Sequence, residues 1–140
     1  MMTKAPPRAP LAFRLDLASG VPVYRQIIDQ VQGSIASGSL VTGDQLPTVR
    51  QVAVDLAINP NTVLRAYREL EIRGVIETQQ GTGTFIADRR VEPNQLEHER
   101  QLSQFLRDFV ARAGAAGFTV AELLERLSEF SPESHVQKKR

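Results

Sequence analysis

Apolar residues recur three and four positions apart at Tyr24, Ile27, Ile28, Val31 and Ile35, the spacing of one face of an α-helix. Pro22 suits the first turn of such a helix and Gly38 its stop. Gly43, Asp44 and Pro47 are turn residues, and Thr48 followed by Gln51 has the capping-box pattern, so a second helix should start near Thr48. Val49, Val52, Ala53, Leu56 and Ala57 form its stripe. Asn59 can cap, and Pro60 can take the first position of a third helix after only a short turn. On that helix Val63, Ala66, Tyr67 and Leu70 share one face, and Gly74 stands where a terminating glycine is favoured. At 100° per residue the opposite face carries Asn61, Arg65, Arg68 and Ile72.

Two helices this close predict a helix-turn-helix. Two β-prone runs follow, Val75 to Gln79 and Thr84 to Ala87, around the turn Gln80-Gly81-Thr82-Gly83, which reads as a hairpin. A hairpin directly after a helix-turn-helix is a wing. The expected fold class is therefore mainly α with a small β-hairpin: a winged helix-turn-helix over residues 21–88, followed by a C-terminal helical hairpin. Residues 1–20 are rich in Pro and Ala and are expected to form a loose arm, residues 89–94 a linker, and residues 132–140 a mobile tail.

Between those last two segments, over residues 95–131, Leu102, Phe105, Leu106, Phe109, Val110 and Ala113 repeat at helical spacing until the break at Gly114 to Gly117. Thr119 and Glu122 repeat the capping-box pattern, ahead of Val120, Leu123, Leu124, Leu127 and Phe130 on one face. A pair of helices has one shared seam and two open sides, so these stripes need another surface, either the winged domain or a second copy. Phe105 and Phe109 are better explained by such a packing seam than by a ligand cage.

Composition narrows the chemistry. The 140 residues are 41% apolar and 24% charged, with 17 basic against 16 acidic side chains, a globular profile with room for one domain and an appendage. The N-terminal residues contain neither a signal-peptide core nor a membrane span, which places the expected compartment in the cytoplasm. Zero cysteines exclude disulfides, thiolate metal sites and cysteine nucleophiles. His98 and His135 lie far apart, so no metal or other cofactor is expected. No nucleophile elbow or other catalytic constellation is visible, and an enzyme is not expected. Gly81-Thr82-Gly83 lacks the lysine and the strand-to-helix context of a phosphate loop. Fourteen of the 17 basic residues are Arg, whose forked guanidinium suits phosphate, guanine and carboxylate alike.

An α-helix fits the DNA major groove and presents its exposed N-terminal half to base edges. Here that half offers Asn59, Asn61, Thr62 and Arg65, with Arg68 one turn further on. Asn can pair with adenine through two bonds, Arg with guanine through two, and a Thr methyl can touch thymine. The second helix would lie across the backbone, where Thr48 at its N-terminus and Arg50 can meet phosphate. Each residue also has a plainer reading. Arg50 could be a solvated helix residue or pair with Asp44 or Asp55, Arg65 and Arg68 could pair with Glu69 or Glu71, and capping alone accounts for Asn59.

The runs Pro22-Val23-Tyr24, Gly43-Asp44-Gln45-Leu46-Pro47-Thr48-Val49-Arg50, Asn59 through Glu71, Gly74 and Gly81-Thr82-Gly83-Thr84-Phe85 resemble the GntR family of bacterial transcription regulators. The Asn-Pro-Asn-Thr-Val entry to the third helix and the short helical tail resemble its YtrA subfamily. The resemblance implies a dimeric repressor, often encoded beside ABC transporter genes, whose short C-terminal helices serve dimerisation. Its partners would be double-stranded operator DNA and a second copy of the chain, with no membrane. It implies Arg50, Asn61, Thr62 and Arg65 as DNA contacts, with the wing turn Gln80, Gly81, Thr82 and Gly83 on the minor groove or its backbone. Many relatives carry Arg where Pro60 and Leu64 stand here, so their base-reading scheme does not transfer. Two other readings stay open: a winged-helix module that holds a protein partner, and a regulator switched by a small-molecule effector bound in a small site.

Overall fold

A computed structural model describes residues 11–88 and 94–130. The chain divides into two compact units on either side of residue 89. The expected tail and all of the expected linker except Asn94 lie outside the described residues, as do residues 1–10 of the expected arm.

In the first unit, α1 spans Val23–Ala36, β1 Gln45–Leu46, α2 Val49–Leu56, α3 Pro60–Ile72, β2 Ile76–Gln79 and β3 Gly83–Ile86. The three helices pack against a three-stranded antiparallel sheet of order β1-β3-β2. Ile76 lies opposite Ile86, and Gln45 opposite Phe85. The core gathers Ile27, Ile28 and Val31 of α1, Val52 of α2, Val63, Ala66 and Leu70 of α3, and Leu46, Ile76 and Ile86 of the sheet. Ile27, Ile28, Val31, Val63 and Leu70 have no exposed surface, each contributing about 1.5–3 kcal/mol of burial. The helical stripes expected from the sequence are the ones that meet here.

The helix ends follow local chemistry. Thr48 Oγ1 accepts from the Gln51 backbone N–H at 3.1 Å, but the Gln51 amide donates to Asp55 at 2.7 Å, so the capping box is only half made. At the end of α2, Ala57 adopts a left-handed conformation (φ 53°) while Ile58 N–H reaches back to Ala53 O and Ala57 N–H to Val54 O, a Schellman turn made without glycine. Gly74 (φ 73°) supplies the same turn after α3. Two sequence expectations change. Residues Val41 to Pro47 hold not only a turn but the short strand β1. The segment from Leu11 to Gly20 is not loose: Leu11, Phe13 and Leu15 alternate half-buried with exposed Ala12, Arg14 and Asp16, as in a strand. Two glutamines one turn apart on α1 grip its backbone. Gln30 accepts from Arg14 N–H and donates to Arg14 O, at 2.9 and 2.7 Å, while buried Gln26 does the same for Asp16 at 2.8 and 2.9 Å. Each side-chain amide thus stands in for a neighbouring strand.

In the second unit α4 spans Gln95–Ala115 and α5 Val120–Leu127, followed by a 3-10 turn Ser128–Phe130. Here α4 continues through Gly114 to Ala115, and Gly117 (φ 89°) turns the chain after it, where Phe118 N–H bonds Ala113 O. The Thr119/Glu122 capping box is complete: Thr119 Oγ1 accepts from Glu122 N–H at 3.2 Å and Glu122 Oε2 accepts from Thr119 N–H at 2.7 Å. The Thr119 N–H and hydroxyl, both donating to Oε2, hold the Glu122 carboxyl below its ordinary pKa. The two helices of the expected hairpin share no extended seam. Leu102, Phe105, Leu106, Val110, Leu124, Leu127 and Phe130 are exposed, and Phe109 and Leu123 are half-buried. Phe105 and Phe109 stack, ring centroids 6.5 Å apart. Among the described residues no helix is long and apolar enough to cross a membrane.

Candidate nucleic-acid interface

Helix α3 buries Val63, Ala66, Tyr67 and Leu70, which turns Asn61, Arg65, Arg68 and Ile72 outward. Along this outer side Asn61, Leu64, Arg65, Arg68, Glu69 and Ile72 line a shallow furrow. The helix starts abruptly because Asn59 Oδ1 accepts from Asn61 N–H at 2.8 Å and Pro60 needs no donor partner. That bond commits the Asn59 side chain to capping. The Asn61 side chain is exposed, whereas Thr62 is half-buried.

The ion pairs open to these arginines are not formed among the described residues. Glu69 is engaged by Arg73 at 3.3 Å. Asp55 takes the Gln51 amide, and Asp44 Oδ2 accepts from Val41 N–H at 2.9 Å. Among the described residues Arg50, Arg65 and Arg68 have no carboxylate partner, and all three are exposed. Arg65 has a different neighbour: its Cζ sits over the Tyr24 ring, 3.8 Å from the centroid. Reading Tyr24 only as part of the first helix's apolar stripe misses this contact.

The start of α2, with Thr48 and Arg50, is fixed from α3. The buried Tyr67 hydroxyl donates to Pro47 O at 2.6 Å, one residue before the cap. Burial pushes this phenol well above its ordinary pKa, so it stays a donor. At the wing tip Gln80, Gly81 and Thr82 are exposed, and Thr82 N–H closes the turn on Gln79 O at 3.0 Å. Gln45 of β1 braces the tip by donating from Nε2 to Thr82 O at 3.2 Å. Its amide lies where a Cβ on Gly83 would fall, so a side chain there would displace the brace, and the φ of 139° itself favours glycine. Gln45 was not legible as a site residue because a strand of two residues has no periodicity. The fold thus presents a capped helix, the N-terminus of a second helix and a braced loop, and on the two helices Arg50, Arg65 and Arg68 have no carboxylate partner among the described residues. Neutral donors and cations in this arrangement suit phosphate and base edges.

This architecture is that of a winged-helix DNA-binding regulator. Residues 23–86 match the model of the bacterial regulatory proteins, gntR family. The regulator YhcF of Bacillus subtilis (strain 168) is 37% identical over 113 residues, covering 81% of this chain and 93% of YhcF. The transcriptional repressor YtrA of the same organism is 38% identical over 125 residues, covering 86% and 93%. Among solved structures, a transcriptional antiterminator from Listeria monocytogenes EGD-e is similar with a TM-score of 0.65 and 28% identity, over 90% of this chain and 94% of that one. YtrA from Sulfolobus acidocaldarius, a GntR-family transcription factor, is similar with a TM-score of 0.52 and 34% identity, over 74% and 97%. The chain belongs to the GntR family: it is a transcription regulator with a GntR DNA-binding domain, and its relatives are regulators, not enzymes.

Proposed function

We propose that the chain acts in the cytoplasm as a homodimeric repressor of an inverted-repeat operator. The observation that carries this is the outer side of α3 and the start of α2, where Asn61, Arg65, Arg68 and Arg50 are exposed and the arginines lack carboxylate partners among the described residues. Arg50 and the N-terminus of α2 take phosphate, Asn61 and Arg65 read bases, and the wing turn Gln80 to Gly83 follows the adjacent backbone. Thr62 contributes at most its half-exposed methyl, and Asn59 acts as the cap. Similarity to the repressor YtrA supports the negative sign of regulation. The exposed apolar sides of α4 and α5 support pairing with a second copy through Leu102, Phe105, Leu106, Phe109, Val110, Leu123, Leu124, Leu127 and Phe130. Two-fold pairing would set two α3 helices on successive major grooves, so half-sites should lie ~34 Å or a multiple apart.

The test is a fluorescence-anisotropy titration against DNA from upstream of the protein's own gene and a scrambled duplex, at two salt concentrations. Tight binding to the upstream DNA that weakens steeply with salt is expected, because phosphate contacts release counterions. No binding to either duplex at low salt would overturn this reading in favour of a protein-interaction module.

A further inference from the structure

The Arg65–Tyr24 contact ties the proposed base-reading helix α3 to α1, which is part of neither the helix-turn-helix nor the wing. Tyr24 is the second residue of α1, is half-buried, and packs its ring against the domain core. Its position is therefore set by the fold. The Arg65 side chain, by contrast, is long and exposed, and among the described residues it has no carboxylate partner. With Cζ over the ring and 3.8 Å from its centroid, the guanidinium is held by the aromatic face and not by its own hydrogen bonds. Its in-plane N–H groups, which donate to guanine O6 and N7, stay free.

We infer that Tyr24 is a positioning residue that holds the Arg65 guanidinium over its ring in readiness for guanine. The inference rests on the reading that α3 enters the major groove. A preorganised side chain loses less rotamer freedom on binding, and Arg is among the residues with most to lose. Tyr24 thus acts on DNA through Arg65 without touching a base. The aromatic ring is what matters, so Phe should serve and an aliphatic side chain should not.

The experiment uses the full chain and a duplex that the wild-type protein selects from a random pool, together with the same duplex carrying 7-deazaguanine in place of guanine. Wild type, Tyr24→Phe, Tyr24→Leu, Arg65→Ala and the Tyr24→Leu/Arg65→Ala double variant are titrated, and thermal unfolding confirms that each is folded. Tyr24→Leu should weaken binding about 5- to 30-fold and shrink the penalty for 7-deazaguanine, while Tyr24→Phe matches wild type. In the Arg65→Ala background Tyr24→Leu should cost nothing further. Wild-type affinity in Tyr24→Leu, or an equal loss in both backgrounds, would overturn the positioning role while leaving DNA reading by α3 intact. Full affinity in Arg65→Ala would overturn both the inference and the assignment of Arg65.

Discussion

The two units of this chain solve opposite problems with the same kind of amphipathic helix. In the winged unit α1 and α3 face each other across Ile27, Ile28, Val31, Val63 and Leu70, all fully buried, and the sheet closes the remaining side. In the second unit α4 is half as long again as α1, yet Ala113 is its single buried residue, and α5 buries none. The difference does not lie in helix quality. Both helices of the second unit are well capped, by Asn94 and by the complete Thr119/Glu122 box. Capping and periodicity make a helix, whereas a core needs a third surface. A helix pair with Phe105 68% and Leu124 66% exposed has local order without closure, as expected of a surface made to be covered.

The contrast can be broken with matched truncations. Leu70→Ala should cost the winged unit about 2–5 kcal/mol of stability, because a fully buried side chain leaves a cavity. Leu124→Ala should cost an unpaired chain under about 0.5 kcal/mol. Urea melts at low and high protein concentration check this. A large effect of Leu124→Ala that does not depend on concentration would show that the second unit closes within one chain.

How far the sequence reaches depends on the range of the interaction. The helical stripes, the Asn59-Pro60 entry, the wing and the Thr119/Glu122 box are all legible, because each is set by residues within a turn or two of one another. The half-made box at Thr48 shows the limit, since Gln51 has a competing acceptor, Asp55, four residues on. What was missed lies between segments. The glutamine grip on Arg14 and Asp16, the Gln45 brace of the wing and the Tyr67 bond to Pro47 join positions 10 to 37 residues apart. The Leu11/Phe13/Leu15 alternation was the one available sign of the first. Of the site, the exposed stripe of α3 was readable, while the freedom of the arginines from Glu69 and Asp55 and the Tyr24 contact of Arg65 required the packing.

The interior of the winged unit can be sharpened through pH. The Tyr67 phenol keeps its proton in the folded chain above its ordinary pKa near 10, whereas the unfolded chain releases it there. The unfolded state then binds fewer protons, so stability is complete below about pH 10 and falls as pH rises further, by about 1.4 kcal/mol per unit. Comparing urea midpoints of wild type and Tyr67→Phe between pH 8 and 11 should show this extra slope in wild type alone. Equal slopes would contradict the burial of the hydroxyl. A smaller effect of opposite sign is expected at the turn between α2 and α3. Ala57 holds a left-handed conformation that glycine adopts without strain, so Ala57→Gly should raise stability by up to about 1 kcal/mol, read as a higher unfolding temperature. An unchanged or lower temperature would contradict the strain assigned to Ala57.

The central claim, a self-sufficient winged reader joined to a helical unit that closes on a second copy, is tested most directly by sedimentation equilibrium of the full chain beside a chain ending at Arg90. The account predicts a full-length species of twice the 15.5 kDa chain mass and a folded monomer for the truncated chain. A truncated chain that remains a dimer, or a full chain that stays monomeric at micromolar concentration, would contradict it.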